Sequence, residues 1–532
     1  MQSYPLTVDK FLDHAAKWSP DREVVTGETG QPAERVGYAA LRDRSNRFSG
    51  ALISLGLRFG DRVGTLAWNT QHHLELYYAA MGVGLVCHTL NPRLSAAHLA
   101  AMINEADNRA LAIDANLAPL LSDLAPLCPR LEHIILLDSE SEPFGLGGHP
   151  AKIWRYEALL EARGAPVVWG DFDENAAAGL CYTSGTTGKP KGVLYTHRSN
   201  YLHTLRCLQA DAFALTRADT LLIAVPMFHA NGWGLPFAAP AVGAKLVLPG
   251  RHLDGAALAT LMRDERVTVA AGVQTVWVGV LDHLDATGGD LPDLQRITIG
   301  GSKCPDALIQ RMEERLGARV QTSWGMTELS PLGAVAPANE PPARLRASGR
   351  PPLGLDLKLT DNDGVTLPQQ RGVVGRLWVK GASVVDRYFK AETDALDAEG
   401  YFDTGDLASI DSDGNLTVCG RTKDLIKSGG EWINPAEIED IVGRHPSVGQ
   451  AAVIGRSDPK WGERPVLIVE ARQGEHVDSQ ALLGALKGKI VDWWMPDQIV
   501  QIDAMPLAAT GKIDKNRLRA DYVNGKLEGV NH

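Results

Sequence analysis

Apolar positions in the first 90 residues follow two different spacings. In Val8–Trp18 and Val36–Leu55 they recur every three or four residues, which predicts amphipathic helices. Short continuous apolar runs at 61–67 and 83–89 predict buried strands, with a further helix at 72–81 between them. Strands that alternate with helices at this interval are typical of a parallel, doubly wound α/β sheet.

The alternation continues to about residue 342. Further strands are predicted at 110–115, 133–137, 176–181, 220–225, 267–272, 296–302 and 320–323, and a helix at 306–316. From Ala343 onward the strands become shorter and glycine more frequent, so 372–381 and 416–419 are predicted to form antiparallel pieces of a β-rich subdomain. Separate apolar runs follow at 438–442, 451–454 and 466–469, with a predicted helix at 482–494.

The predicted fold is therefore α/β, with a large N-terminal domain of doubly wound sheets, a β-rich subdomain, and a small α+β C-terminal domain. A chain of 532 residues is longer than a single core ordinarily serves, so more than one domain is expected. We place the domain boundary within the segment Gly420–Asp424, between residues 422 and 423, which gives domains 1–422 and 423–532.

Composition narrows the function classes. An apolar fraction of 44% is ordinary for a globular protein, and the net charge of −11 disfavours nucleic acid or an anionic membrane as a general partner. The six cysteines lie far apart without metal-ligand spacing, which disfavours a disulfide framework and a structural zinc site. No signal segment is seen at the N-terminus, and no apolar run approaches the roughly 18 residues of a membrane span. A cytoplasmic globular protein is predicted.

The segment Tyr182–Val193 carries the strongest candidate chemistry. It follows a predicted buried strand and interleaves glycines with hydroxyl and ammonium groups, a combination that suits a polyphosphate. It differs from the Walker pattern because Gly185 and Gly188 are too close and Lys189 precedes proline rather than Ser or Thr. A surface turn with solvated lysines is the alternative, and the preceding buried strand disfavours it.

Polar and glycine residues also follow other predicted strands, where open α/β sheets bind ligands. His229 either contacts a ligand or packs beside Phe228, and local sequence leaves both open. The Gly300–Gly301 pair admits a bulky group against bare backbone. Glu328 suits a magnesium ligand, although an isolated glutamate is more often solvated.

Two further candidates lie toward the C-terminus. Asp406, in Tyr401–Asp406, is the kind of residue that accepts both hydroxyls of a ribose. Lys512 follows a glycine at a predicted loop tip, where a lysine is ordinarily solvated, and local sequence gives it no further role.

The adjacent His72 and His73 face different ways on a helix, which disfavours a metal site.

Several motifs stand in one order along the chain, and together they resemble the adenylate-forming superfamily: acyl-CoA synthetases, firefly luciferase and peptide-synthetase adenylation domains. These motifs are the phosphate loop, Gly300–Gly301, Gly325–Glu328, Tyr401–Asp406, Gly420–Asp424, Lys427–Glu431 and Thr510–Lys512. Within the superfamily, segments 87–94, 228–233 and 427–433 resemble bacterial fatty acyl-CoA ligases, closest to those acting on medium-chain acids and 3-methylmercaptopropionate.

The resemblance implies an ATP-dependent carboxylic acid–CoA ligase that makes acyl-AMP and then acyl-CoA from medium-chain or short thioether fatty acids. A ligase specific for 3-methylmercaptopropionate, or a stand-alone adenylating domain for another acid, is the alternative. It also implies ATP, Mg²⁺ and coenzyme A, a mobile C-terminal domain and a homodimer. A luciferase-type oxygenase and a nucleotide sensor on an inactive synthetase fold are rivals; intact Lys512, Glu328 and Asp406 disfavour the sensor.

Residue roles are carried over from the resemblance where the motifs match. The ATP phosphates would be held by Thr183, Ser184, Gly185, Thr186, Thr187, Gly188 and Lys191. Thr327 would contact the α-phosphate, Glu328 would bind magnesium and Lys512 would be the adenylation lysine. Adenine and ribose would be contacted by Ser302, Trp324, Asp406 and Arg421. The acyl pocket would be lined by His229, Trp233, Gln274, Gly301 and Gly325. Lys423 would be the hinge, and the CoA thiol would be faced by Lys427, Gly429, Gly430, Glu431 and Trp432.

The chain departs from the family pattern at three places. Trp324 replaces the more common tyrosine, as in the medium-chain group, and Gln274 stands where related ligases usually carry proline. Ala508–Ala509 replaces the usual Arg-Asn before Thr-Gly-Lys. The first two departures leave the reaction intact but the acyl specificity open, and the third leaves Lys512 in place.

Overall fold

A computed structural model describes residues 1–27, 33–137, 144–183, 190–338, 347–429, 431–472, 474–507, 513–527 and 530–531. The chain forms two compact units. The first comprises Met1–Gly301, Met312–Leu355 and Lys380–Leu396, and the second comprises Ser302–Arg311, Asp356–Val379 and Asp397–His532. The functional boundary between residues 422 and 423 stays a prediction.

Fourteen α-helices are present in the described part of the chain. They are α1 (Asp9–Trp18), α2 (Tyr38–Ser54), α3 (Gln71–Gly82), α4 (Ala96–Glu105), α5 (Leu121–Leu124), α6 (Tyr156–Arg163), α7 (His197–Cys207), α8 (Leu235–Val242), α9 (Gly255–Asp264), α10 (Gln274–Thr287), α11 (Asp306–Leu316), α12 (Pro435–Val442), α13 (Ser479–Leu486) and α14 (Lys515–Val523). Most begin after a residue whose side chain accepts a backbone N–H bond or whose backbone is extended; Thr70, for example, caps α3 by accepting from His73 N–H at 3.3 Å.

The strands fall into two groups along the chain. The first group is β1 (Glu23–Thr26), β2 (Glu34–Gly37), β3 (Arg62–Leu66), β4 (Val86–Thr89), β5 (Ala110–Ile113), β6 (His133–Leu136), β7 (Lys152–Arg155), β8 (Ala177–Tyr182), β9 (Gly192–Thr196), β10 (Thr220–Ile223), β11 (Lys245–Leu248), β12 (Val269–Val273), β13 (Arg296–Gly300), β14 (Arg319–Gly325) and β15 (Leu332–Val335). The second is β16 (Leu355–Thr360), β17 (Val374–Gly381), β18 (Phe402–Ile410), β19 (Leu416–Arg421), β20 (Ile426–Ser428), β21 (Glu431–Ile433), β22 (Val448–Asp458), β23 (Gly462–Ala471), β24 (Gln498–Ile502) and β25 (Val530–Asn531).

The first unit contains two large sheets that confirm the predicted α/β architecture. One has the order β15-β14-β13-β12-β10-β11-β1-β2, and the other β7-β6-β5-β3-β4-β8-β9. Both are parallel throughout their interior, and antiparallel pairs occur at the edges β14–β15, β1–β2 and β8–β9. Helices connect most of the parallel strands, as is typical of a doubly wound sheet.

Helix α3 shows how the first unit is packed. It is buried on nearly every face, and Leu74, Tyr77 and Tyr78 are fully buried where α1 and α2 pack against it. The two tyrosine hydroxyls donate to backbone carbonyls, of Met227 and Pro236, so their burial leaves no unpaired donor. The core of this unit therefore includes the loop that follows β10.

Strand order determines where a site can form. Strands β14, β13, β12 and β10 are neighbours and run parallel, so their carboxyl ends meet at one edge of the sheet. The residues at that edge follow Ile223, Val273, Gly300 and Gly325. Open α/β sheets bind ligands at such an edge.

The second unit contains the smaller sheets. Strands β16-β17-β18-β19 form one, in which β18 is antiparallel to both β17 and β19, and β20 to β25 form the other. The long hairpin β22–β23 carries most of the second sheet, and α12 and α13 cover apolar residues such as Val453 and Leu467. The predicted β-rich subdomain and α+β character of the C-terminal region agree with this arrangement.

Two local predictions differ from the structure. The helix predicted at 482–494 ends at Leu486, because Lys487 leaves the helical conformation (ψ 126°) and Gly488 then takes a left-handed backbone (φ +73°). A separate 3₁₀ turn follows at Asp492–Trp494. Residues 402–406 of the motif Tyr401–Asp406, for which the pattern predicts no strand, belong to the nine-residue strand β18.

Two global features agree with the composition. Each of the six cysteines is a free thiol. Among the described residues, no helix combines the length and apolar character needed to cross a bilayer.

Candidate active site

The predicted phosphate loop is the tip of the hairpin formed by β8 and β9. Tyr182 pairs with Gly192 at the end of the ladder. Thr183 N–H then donates to Lys191 O at 2.9 Å, and Lys191 N–H donates to Thr183 Oγ1 at 3.3 Å, so these two residues close the neck of the loop. Ser184, Gly185, Thr186, Thr187, Gly188 and Lys189 lie outside the described residues, and their predicted role stays a prediction.

The hairpin is joined to two other segments of the first unit. The Tyr195 hydroxyl, on β9, donates to Thr327 O at 2.8 Å. Phe389 N–H donates to Gly192 O at 2.8 Å. The strand that returns from the phosphate loop therefore contacts both the Thr327–Glu328 turn and the segment around residue 389.

The Thr327–Glu328 turn is fixed through consecutive backbone carbonyls. Thr327 O accepts from Tyr195, Glu328 O accepts from Val385 N–H at 2.8 Å, and Leu329 O accepts from Ser383 Oγ at 3.0 Å. The side chains of Thr327 and Glu328 are both buried. A turn whose carbonyls are all bonded has little freedom, so the two side chains predicted to meet the nucleotide are preorganised.

Tyr388 connects the predicted magnesium ligand to the phosphate-loop neck. Its hydroxyl donates to Glu328 Oε1 at 2.9 Å, and Lys191 Nζ lies 4.7 Å from the centroid of its ring. Burial, and then the neighbouring Glu328 carboxylate, raise the pKa of the Tyr388 hydroxyl well above its usual value. Tyr388 therefore stays protonated and remains a donor. Tyr388 belongs to none of the sequence motifs, because its role depends on two partners that are distant in sequence.

The loop after β10 has an unusual backbone. Residues 230–234 take consecutive left-handed conformations, with φ +44° at Ala230, +51° at Asn231 and +59° at Trp233. Such conformations cost non-glycine residues about 1–2 kcal/mol each and persist where the surroundings impose them. Asn231 is buried against β8, where Gly179 leaves room for its amide, and Cys181 Sγ lies 3.5 Å from its Oδ1.

The loop places the Trp233 indole on the end of β13. A Cβ added at Gly300 would lie 3.0 Å from the Trp233 Cη2 atom and 2.5 Å from Ser323 Oγ. Glycine is therefore required at this position for the indole to approach the strand. Gly301 follows with φ +88° and is exposed. The structure thus brings Trp233 next to the predicted glycine pair.

The other predicted acyl-pocket residues lie on the same edge of the sheet. His229 is half-buried and its backbone O accepts from Gly232 N–H at 3.0 Å. Gln274 is half-buried and begins α10, directly after β12. Gly325 ends β14, where an added Cβ would lie 2.3 Å from Pro331 O. Trp324, predicted to frame the adenine, is buried with its ring against Gly333.

The predicted ribose residues are adjacent in the second unit. Asp406 on β18 is opposite Arg421 on β19, and Arg421 Nε lies 2.8 Å from Asp406 Oδ1. The Asp406 side chain is 2% exposed. Arg421 also donates to Thr404 O at 3.2 Å. Ser302 is exposed and belongs to the same unit.

The predicted hinge and CoA segment form a turn and a hairpin in the second unit. Lys423 lies in the 3₁₀ turn Thr422–Asp424. Strands β20 and β21 then pair Lys427 with Trp432, whose ring centroid is 5.5 Å from Lys427 Nζ, and Ser428 with Glu431. Gly429 has φ +60° and donates its N–H to Trp461 O at 2.7 Å. Gly430 lies outside the described residues.

Lys512 also lies outside the described residues, so its position stays a prediction. The residues on either side of the segment that carries Lys512 are bonded to each other. Leu507 pairs with Ile513 in an isolated bridge, and Asp514 N–H donates to Pro506 O at 2.8 Å.

Two known protein families match this chain. The family "AMP-binding enzyme" matches residues 12–389, and "AMP-binding enzyme C-terminal domain" matches residues 437–512. A 3-methylmercaptopropionyl-CoA ligase of Ruegeria lacuscaerulensis is 42% identical over 98% of this chain and 98% of its own length. A medium-chain-fatty-acid–CoA ligase of Ectopseudomonas oleovorans is 40% identical over 98% of this chain and 97% of its own length.

Solved structures agree on the fold. An anthranilate CoA ligase in complex with anthranoyl-AMP superposes with a TM-score of 0.87 at 22% identity, over 98% of this chain and 99% of that one. The o-succinylbenzoate CoA synthetase of Bacillus subtilis, in complex with its acyl-adenylate intermediate, gives 0.81 at 26% identity, with 98% and 99% coverage. The predicted fold class and superfamily are confirmed: the chain belongs to the AMP-binding enzymes and is an acid–thiol ligase of that family.

Proposed function

We propose that this chain activates a small carboxylic acid with ATP to form an acyl-AMP, and then transfers the acyl group to coenzyme A. The observation that carries the proposal is the arrangement around Tyr388. One tyrosine contacts Lys191 at the neck of the predicted phosphate loop and bonds Glu328, the predicted metal ligand. A cation for phosphate and a carboxylate for a divalent metal therefore contact the same tyrosine, the first at its ring and the second at its hydroxyl.

The donor set fits Mg²⁺. Glu328 offers carboxylate oxygens and Thr327 a hydroxyl, and the Tyr388 hydroxyl fixes one oxygen of Glu328. Mg²⁺ usually binds through one or two carboxylates and the oxygens of substrate phosphates, which suits a site with a single glutamate. When bound, it would neutralise charge on the phosphate oxygens during the first step.

The two half-reactions follow from carboxylate chemistry. In the first, an oxygen of the acid attacks the α-phosphorus of ATP, the bond to the β-phosphate oxygen breaks, and pyrophosphate leaves. Thr327, Lys191 and Lys512 are the groups we assign to the charge that develops on the phosphate, and one such donor is worth on the order of 3 kcal/mol. In the second, the CoA thiol loses its proton and attacks the acyl carbon, and AMP leaves.

Four residues are assigned to recognition of the ribose and adenine of ATP: Asp406, Arg421, Ser302 and Trp324. Asp406, oriented by the Arg421 guanidinium, is proposed to accept the ribose hydroxyls. Ser302 and Trp324 are proposed to contact adenine. Lys423 is proposed as the hinge of the C-terminal domain, and Lys427 to Trp432, including Gly429, Gly430 and Glu431, as the segment serving the thiol.

The acid is proposed to be a medium-chain fatty acid or a short thioether acid. His229, Trp233, Gln274, Gly301 and Gly325 are assigned to its pocket. Residues 226–234 contain no acidic side chain, whereas an amino acid substrate would need one for its ammonium group. The names of the two ligases compared above, from Ruegeria lacuscaerulensis and Ectopseudomonas oleovorans, support this class, and a strict preference for 3-methylmercaptopropionate is the second candidate.

A panel of acids tests the proposal. Purified protein is incubated with ATP, Mg²⁺ and CoA and with propionate, 3-methylmercaptopropionate, hexanoate, octanoate, palmitate or benzoate, and AMP and the CoA thioester are measured. We expect AMP and thioester in equal amounts, with the highest kcat/KM for hexanoate, octanoate or 3-methylmercaptopropionate. Benzoate or palmitate as best substrate would overturn the acid class, and no AMP with any acid would overturn the activity.

The predicted homodimer and cytoplasmic location stay predictions. Sedimentation of the purified protein across a concentration range would test the first.

A further inference from the structure

Helix α7 begins directly after the second strand of the phosphate hairpin and carries three buried basic side chains, those of His197, His203 and Arg206. His203 and Arg206 are fully or almost fully buried, one turn apart on the same helix. Both side chains bond Leu332, which lies shortly after the predicted magnesium ligand Glu328, and Arg206 also bonds Ser383. The helix therefore joins the hairpin to the segment that follows Glu328 through polar contacts rather than through apolar packing alone.

Arg206 makes an unusual set of bonds for a buried cation. Its Nη2 donates to Leu332 O at 3.1 Å and to Ser383 Oγ at 2.8 Å, and both acceptors are neutral. Within the described residues its Nε has no partner. Burial lowers the pKa of Arg206 to about 10, so the guanidinium is still charged at neutral pH. Since a buried charge without a counter-ion is costly, packing alone does not explain an arginine here.

Ser383 extends the contact to the residues next to Glu328. Its hydroxyl, which accepts from Arg206, donates to Leu329 O at 3.0 Å. Its backbone O accepts from Ser330 Oγ at 2.9 Å. One serine therefore transmits the position of the guanidinium to two residues immediately after Glu328.

His203 completes the connection from the same helix. Its Nε2 accepts from Leu332 N–H at 3.1 Å, so both backbone groups of Leu332 are bonded to α7. Burial, and then repulsion by Arg206, place the pKa of His203 well below its usual value, which keeps the ring neutral and Nε2 an acceptor. An added Cβ at Gly234 would lie 2.8 Å from this ring, so His203 also lies against the end of the loop 230–234, which carries Trp233.

We propose that Arg206, acting through Ser383 and Leu332, is a positioning residue for the adenylation half-reaction that holds the Thr327–Glu328 turn in place. The inference rests on the proposed function. It predicts that losing the guanidinium lets the turn shift, and a displacement of about 1 Å at a catalytic group can cost on the order of a hundredfold in rate.

The test compares Arg206→Met, Arg206→Lys and Ser383→Ala with the parent enzyme. We expect kcat for acid-dependent pyrophosphate release, per folded molecule, to fall about 100-fold in Arg206→Met and about tenfold in Ser383→Ala. The Mg²⁺ concentration for half-maximal rate should rise in both, whereas thioester formation from supplied acyl-AMP and CoA should stay unchanged. Arg206→Lys keeps a charged donor and should recover most of the rate.

Arg296→Met is the matched control. Arg296 is a half-buried arginine of the same unit that bonds Ala214 O, and it lies at the amino end of β13, away from the site edge. This variant should lower the thermal midpoint without changing kcat or the Mg²⁺ dependence. If Arg206→Met fails to fold, Ser383→Ala decides the matter.

The outcomes separate the inference from the proposed function. Unchanged kcat and Mg²⁺ dependence in Ser383→Ala and Arg206→Met, with only a lower thermal midpoint, would overturn the positioning role. Equal loss of both half-reactions would do the same. If the parent enzyme releases no pyrophosphate with any acid, the proposed function fails and the inference fails with it.

Discussion

The Tyr388 hydroxyl donates a hydrogen bond of 2.9 Å to Glu328 Oε1, while the face of its ring lies 4.7 Å from Lys191 Nζ. The three residues come from three separate segments: the neck of the phosphate hairpin, the turn after β14 and the segment after β17. Tyr388 therefore couples the position of the proposed metal ligand to that of a proposed phosphate ligand.

Tyr388→Phe should raise the Mg²⁺ concentration that adenylation requires. The variant keeps the ring beside Lys191 and loses the hydroxyl that fixes Glu328. A hydrogen bond to a charged group is worth about 1.5–3 kcal/mol, so the Mg²⁺ concentration for half-maximal adenylation should rise about 10- to 100-fold. Pyrophosphate release measured across a Mg²⁺ titration checks this.

Tyr156→Phe is the control for that variant. Tyr156 donates to Glu75 at 2.7 Å and is buried elsewhere in the same unit. It should lose stability without a change in Mg²⁺ dependence. An identical Mg²⁺ titration for Tyr388→Phe and the parent enzyme would contradict the coupling.

Gly300→Ala should change which acids are used. The added methyl would lie 3.0 Å from Trp233 Cη2 and closer still to Ser323, so the indole must move. Overpacking of this kind costs about 1–3 kcal/mol, and we expect kcat/KM for the best acid to fall about tenfold or more, with the KM for ATP unchanged. In the control Gly279→Ala the nearest atom would be 3.7 Å away, so the acid profile should stay the same. A Gly300→Ala profile that matches the parent would remove Trp233 from the acyl pocket.

Buried histidines should make the protein sensitive to acid. Burial lowers the pKa of His73 and His88 to about 4. Because the unfolded chain binds protons at about 6.5 and the folded one does not, stability is full above pH 6.5 and is lost as the pH falls toward 4. A difference of about 2.5 pKa units corresponds to roughly 3 kcal/mol for each residue.

Thermal midpoints between pH 7 and pH 4.5 test this. His73→Gln should flatten the decline, and His14→Gln, at an exposed position, should not. A decline that is equally steep in both variants would assign the acid sensitivity to other groups.

Lys512→Ala should separate the two half-reactions. Acyl-AMP formation from acid and ATP should be abolished, while thioester formation from supplied acyl-AMP and CoA should continue at the parental rate. Lys515→Ala is the matched lysine control: Lys515 pairs with Glu439 at 2.7 Å, so it should affect stability alone. Equal loss of both half-reactions in Lys512→Ala would contradict the assignment of Lys512 to the first step.

Much of the fold follows from local patterns. The alternation of apolar runs and helical spacing predicts most of the parallel strands from β3 to β14, because the predicted ones are mainly buried and continuous in apolar character. It does not predict β7, which is largely exposed, or β11. Strand β18 was missed because Asp403, Thr404 and Gly405 interrupt its pattern, and its pairing partners on β17 and β19 supply the reason for its extended form. Tertiary pairing overrides weak local propensity there.

The sequence predicts the site residues that lie in recognisable motifs and does not predict the others. Thr327, Glu328 and Asp406 lie in recognisable segments, and the structure places partners around each of them. Tyr388, Ser383 and Arg206 lie outside the motifs, and they act through contacts between residues far apart in sequence; Arg206 and Ser383, for example, are 177 residues apart. Spacing along a chain gives no information about such contacts.

The central claim is that an oxygen of the acid attacks the α-phosphorus of ATP, and isotope transfer tests it most directly. The enzyme is given octanoate labelled with ¹⁸O in both carboxylate oxygens, with ATP, Mg²⁺ and CoA, and the AMP and pyrophosphate are analysed by mass. We predict one ¹⁸O atom in each AMP and none in pyrophosphate. Unlabelled AMP, label in pyrophosphate, or ADP as the nucleotide product would contradict it.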